Sequence, residues 1–102
     1  MKIELLYFDG CPNWHEGLKN LETALEREKI HAVISLVRVG DDDEAERLKF
    51  LGSPSFRVDG TMLWPEERDT YTLNCRVYPT PAGMKGSPTI EMLQEKLRSF
   101  KQ

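Results

Sequence analysis

Three segments follow one another from the amino terminus: an apolar run at Lys2 to Phe8, a stripe made by Trp14, Leu18, Leu21 and Leu25, and a β-branched run at Ala32 to Val39. That succession constrains the fold more than any other feature of the chain. The first run is too short for a typical helix and reads as a buried strand. The stripe keeps helical spacing, with Glu16, Lys19, Glu22 and Glu26 on the other side, so it marks a helix that must lay one face on a sheet. A helix between two such strands predicts a right-handed parallel crossover. Pro12, whose missing N–H costs nothing in a first turn, suits the start of that helix.

Asp41 to Glu44 then opens a short helix with Ala45, Leu48 and Leu51 as its apolar residues and Gly52 as its stop. The acidic run lacks the alternating oxygen ligands and terminal Glu of a calcium loop, so it reads as helix capping. Ser55 to Val58 and Thr61 to Trp64 flank Asp59-Gly60, a strong hairpin signal. From Pro65 to Gly86 the pattern dissolves, with only an extra strand suggested around Cys75 to Tyr78; a loop of this length in a small domain points to function. Ser87-Pro88 caps a final helix that carries Ile90, Leu93, Leu97 and Phe100. The order is β-α-β-α-β-β-α: an α/β chain with a four-stranded mixed sheet, three flanking helices and a long loop before the last one. At 102 residues, 1–102 reads as one domain.

A net charge of −3 and the lack of a Lys/Arg-rich tract give nucleic acid no footing as a partner. No apolar run approaches the ~20 residues that span a bilayer, so no membrane partner is expected. The amino terminus passes into a strand without the apolar core of a signal peptide, which suggests the cytoplasm. There, two cysteines read as reduced thiols with a transient or metal-linked role. The cysteines and the two histidines, His15 and His31, lack zinc-site spacing, and no cofactor is implied.

Cys11 stands where the first strand hands over to the helix, where unpaired N–H groups and the positive dipole end favour thiolate over thiol. His15, four residues on, offers an imidazolium to that thiolate or else faces solvent. If Asp59-Gly60 turns at the end of the sheet opposite Cys11, the chain returns to the Cys11 end as the long loop begins, and Cys75 can meet Cys11. A bond requires Cα atoms within about 7 Å.

Tyr7-Phe8-Asp9-Gly10-Cys11-Pro12-Asn13-Trp14 and Gly52-Ser53-Pro54-Ser55-Phe56-Arg57-Val58-Asp59-Gly60 resemble the thioredoxin-like superfamily in its compact glutaredoxin-like form. The resemblance implies a nucleophile at Cys11 and a cis proline at Pro54. It also implies that Ser53 offers its backbone to an extended thiol or disulfide substrate beside Cys11. Pro12 and Trp14 are placed at the same substrate site, and Tyr71, Tyr78 and Trp64 are candidates to line it. The family's resolving cysteine is missing, because position 14 is Trp, so Cys75 is the candidate resolving thiol. Thiol–disulfide exchange or thiol-based reduction is the activity expected.

Cys75-Arg76-Val77-Tyr78 further resembles small bacterial thioredoxin-fold proteins described as alkylmercury-lyase-like. The lyase's two cysteines carry over to Cys11 and Cys75, but its aspartate falls on Trp14, which argues against carbon–mercury cleavage. A pair of thiolates binding mercury or Cu(I) is the alternative activity, and a non-catalytic binding module is another.

Overall fold

A computed structural model describes residues 1–100, and in it Ile3–Tyr7 forms β1, the strand on which the rest is assembled. β1 pairs in parallel with β2 (Ile34–Arg38), the two being joined through α1 (Trp14–Arg27). On its other side β1 pairs antiparallel with β3 (Ser55–Val58), which pairs antiparallel with β4 (Thr61–Met62), so the sheet runs β2-β1-β3-β4. Between β2 and β3 lies α2 (Asp42–Leu48). β5 (Tyr78–Thr80) and β6 (Gly83–Lys85) form a separate hairpin, and α3 (Ile90–Arg98) follows. The described residues thus form an α/β structure with three helices and a four-stranded mixed sheet.

Alternation along β1 divides the core into two layers. Ile3 and Leu5, beside their cross-strand partners Val58 and Phe56, meet Leu21, Ala24 and Leu25 of α1 and Leu93 and Leu97 of α3. Leu6 points the other way and packs with Val39, Ala45 and Phe50, under α2. Each fully buried leucine contributes roughly 1.5–3 kcal/mol, so the helical stripes dock by burial rather than by helix propensity alone. The Asp59-Gly60 turn has positive φ at both positions, 50° and 85°, as a two-residue hairpin of this twist demands. It sits beside Lys2, at the start of β1, and therefore at the opposite end of the sheet from Cys11.

Several element boundaries differ from expectation: α1 begins at Trp14, after Pro12, and β4 ends at Met62 rather than Trp64. Lys49 takes a left-handed conformation, φ 54°, and ends α2 before Leu51 and Gly52. α3 is capped by Thr89, whose hydroxyl accepts from the Met92 N–H at 3.1 Å, rather than by Ser87-Pro88. The stretch expected to be a loop, Pro65 to Gly86, carries β5 and β6, and these lie outside the main sheet. Among the described residues no helix is long and apolar enough to cross a membrane.

Candidate functional site

The backbone leaves β1 at Tyr7, turns through Asp9-Gly10 and delivers Cys11 just ahead of α1; the Cys11 N–H donates to the Phe8 carbonyl at 3.3 Å. Cys11 is fully buried, at 0% exposure. Facing it is the segment before β3, where Ser53–Pro54 is a cis peptide bond, as the resemblance implied. Gly17 on α1 allows the two to close up, since a Cβ at that position would lie 2.9 Å from Pro54 Cγ. The Cys11 sulfur lies 3.5 Å from the Ser53 carbonyl, a contact that becomes a hydrogen bond when the thiol carries its proton.

The far segment Asn74 to Arg76 lies along Ser53 like a short added strand. The Ser53 N–H donates to the Asn74 carbonyl at 2.8 Å, and the Arg76 N–H donates to the Ser53 carbonyl at 3.0 Å, with Cys75 directly opposite Ser53. Gly52, at φ 111°, makes room for this contact: a Cβ there would meet Asn74 Oδ1 at 2.7 Å and Arg76 Cβ at 2.8 Å. Cys11 and Cys75, 64 residues apart, are joined as a disulfide with their Cα atoms 5.8 Å apart. The backbone groups of Ser53 expected to receive a substrate are therefore used by the chain's own segment. Cys75 is exposed while Cys11 is not. An ionised, accessible sulfur at position 11 does not describe this disulfide form.

The Cys75 segment is held from several sides. Asp42 and Glu46, one turn apart on α2, accept the backbone N–H groups of Leu73 at 3.0 Å and Tyr71 at 3.1 Å. The Arg76 guanidinium donates to the Trp64 carbonyl at 2.7 Å and lies over the Tyr78 ring. The buried Tyr78 hydroxyl donates to the Pro54 carbonyl at 2.5 Å. Burial pushes the Tyr78 phenol well above its ordinary range, against the opposing pull of Arg76, so it remains a neutral donor. Where the loop ends, Gly86 lies against Asn13, so close that a Cβ would collide with its side-chain amide.

The other anticipated residues are placed as follows. Pro12 is exposed beside Cys11, and Trp14 is half-buried, packing on the core while its ring stacks on Tyr7 at 4.2 Å. His15 stacks on Trp14 at 3.8 Å and is exposed. Because α1 begins at Trp14, Cys11 and His15 are not one helical turn apart, and no hydrogen bond joins them among the described residues. Trp64 and Tyr78 pack edge-on in the larger core cluster, whereas Tyr71 packs on the α2 side, so these three do not share a pocket wall. Pro54 and Ser53 are buried, and the Ser53 hydroxyl has no protein partner among the described residues. The broad groove between α1 and β2, with Leu18, Ile30 and Val33 on its walls, contains neither cysteine. Asp41 accepts the Glu44 N–H at 2.8 Å, which makes the acidic run a cap.

Sequence reasoning missed Asp42, Glu46, Gly17 and Arg76. Asp42 belongs to the acidic run read as a cap, and Glu46, one helical turn further on, places a second carboxylate on the same face of the helix.

No protein-family model matches this chain, and comparison with curated proteins and with solved structures gives no significant match. Among the described residues no group of three or more His, Cys, Asp and Glu side chains converges to hold a metal ion. What the site holds is a disulfide, a bond that in general can be reduced to two thiols by an electron pair and two protons.

Proposed function

We propose that this chain is a thioredoxin-like thiol–disulfide exchange protein whose redox couple is Cys11–Cys75. The observation that carries the proposal is the joining of two cysteines distant in sequence, with Cα atoms 5.8 Å apart, immediately before the first long helix and against the residue preceding a cis proline. The strand order β2-β1-β3-β4 and the Cys11–Pro54 juxtaposition support the thioredoxin-like assignment. Position 75 supplies what Trp14 denies: a second thiol close enough to close the ring without an external partner.

In the reducing direction, one cysteine thiolate attacks a substrate disulfide, forming a mixed disulfide and releasing one substrate thiolate. The other cysteine then attacks the protein sulfur of that mixed disulfide, releasing the second substrate thiolate and restoring Cys11–Cys75. Two electrons pass from the protein dithiol to the substrate, and each released thiolate takes a proton from solvent.

Equilibration in glutathione buffers of graded ratio, followed by acid quenching and mass analysis, tests this. The expected result is a single reversible transition between a dithiol and an intramolecular disulfide. A protein that never interconverts, or that retains mercury stoichiometrically when reduced while reducing no disulfide, would overturn it.

A further inference from the structure

The two sulfurs of the couple are not equivalent, and their difference assigns roles. Cys11 is 0% exposed, covered by the Cys75 segment, the Ser53 carbonyl and the start of α1, whereas Cys75 is exposed on the segment that does the covering. Exchange requires a thiolate to approach the sulfur it attacks, so an external thiol reaches this disulfide only at Cys75. Asp42, Glu46 and the Ser53 backbone all bind that segment through main-chain groups that do not depend on the S–S bond. The cover over Cys11 therefore persists after reduction.

On the exchange reading above, we propose that Cys75 is the sulfur that meets the substrate and that Cys11 is the internal sulfur that resolves. This reverses the roles that the position of Cys11 at a helix start suggests. In the oxidised protein, a substrate thiolate attacks Cys75 Sγ, a bond forms between substrate sulfur and Cys75, the Cys11–Cys75 bond breaks, and Cys11 departs as the thiolate. As it leaves it takes up a proton, and the resulting S–H donates to the Ser53 carbonyl 3.5 Å away. A second substrate thiolate then attacks the substrate sulfur, freeing Cys75 as thiolate and releasing substrate disulfide. The protein gains the electron pair that the two thiolates lose.

The assignment also narrows the substrate. Both backbone groups of Ser53 are consumed by Asn74 and Arg76, so a substrate cannot add as a strand beside Cys11 while that segment stays in place. The reaction suits a compact thiol, such as a low-molecular-weight peptide thiol, that needs nothing but the exposed Cys75 flank.

The test uses glutathione disulfide and iodoacetamide with adducts mapped by peptide mass analysis. In the reduced wild-type chain, Cys75 is expected to alkylate at least about tenfold faster than Cys11, since burial suppresses reaction at the covered thiol. Cys11→Ser is expected to accumulate a stable glutathione adduct on Cys75, and Cys75→Ser to form its adduct on Cys11 much more slowly. Equal labelling, or first adducts on Cys11 in the wild-type chain, would overturn the assignment while leaving exchange intact. Absence of any adduct together with a couple that does not equilibrate would instead remove the exchange function itself. Because the wild-type labelling needs no variant, a misfolded substitution does not blunt the test.

Discussion

Reducing the Cys11–Cys75 bond should cost this fold a large and calculable part of its stability. The bond joins residues 64 apart, and closing a loop of that length in the unfolded chain removes conformational entropy equivalent to about 4 kcal/mol at room temperature. Domains of this size have roughly 5–15 kcal/mol in all, so the reduced protein stays folded but with a thin margin. At about 4–8 °C per kcal/mol, Tm should fall by some 15–30 °C. A thermodynamic cycle makes the same quantity visible a second way. The equilibrium constant for forming the disulfide should be about three orders of magnitude larger in the folded chain than in the urea-unfolded chain, because the native fold holds the sulfurs together. The assay is paired urea unfolding of the oxidised and thiol-reduced protein, set beside glutathione equilibria measured with and without urea. A stability difference below about 1 kcal/mol would show that the native fold does not hold these sulfurs in bonding geometry, and the proposed couple would lose its basis.

Gly17→Ala should destabilise by up to about 2 kcal/mol in a urea titration, because the gain in helix propensity of about 1 kcal/mol is outweighed by contact with the buried Pro54 ring and Phe56. A stabilised variant would show that α1 does not press on Pro54. Tyr78→Phe leaves the Pro54 carbonyl without its hydroxyl donor and should lower stability by about 1–3 kcal/mol; an unchanged urea midpoint would refute that. Asp42→Asn combined with Glu46→Gln weakens the hold on Leu73 and Tyr71, and should shift the glutathione equilibrium about tenfold toward the dithiol while speeding labelling of Cys11. Both carboxylates could be neutralised without effect only if the segment is held elsewhere. Glu4 is held below its usual 4.5, chiefly by its hydrogen bonds from Arg57 at 2.8 and 3.1 Å. A depressed folded value means stability present above the unfolded value and lost as pH falls through the folded one, so Glu4→Gln should flatten the dependence of the urea midpoint between about pH 5 and pH 3.

The parts of this fold that were legible in the sequence are those decided by repeating patterns or by a turn with one chemical solution. The α1 stripe gave the helix and the face it buries, and Asp59-Gly60 located the hairpin and with it the end of the sheet to which the chain returns. Cys11 and Pro54 were legible as a pair only through resemblance, because nothing in periodicity brings a helix start against a loop that follows α2. That Cys75 can meet Cys11 followed from the hairpin, and the disulfide bears it out; the exact seat of Cys75 was not legible, because it depends on single contacts rather than on a face. Two carboxylates on α2 capture N–H groups of Tyr71 and Leu73, Gly52 leaves space where any other residue would strike Asn74 and Arg76, and Ser53 takes the chain's own backbone as a strand. Each contact lies between segments with no common period, and each could have been satisfied by water or by another partner. On the exchange reading those same contacts would set the chemistry: the covering segment buries Cys11, leaves Cys75 at the surface and occupies both backbone groups of Ser53 that an extended substrate would need. The orientation of the couple is therefore a property of the 71–76 segment rather than of the helix start, and transplanting Cys11 and Pro54 alone onto a similar sheet would not reproduce it.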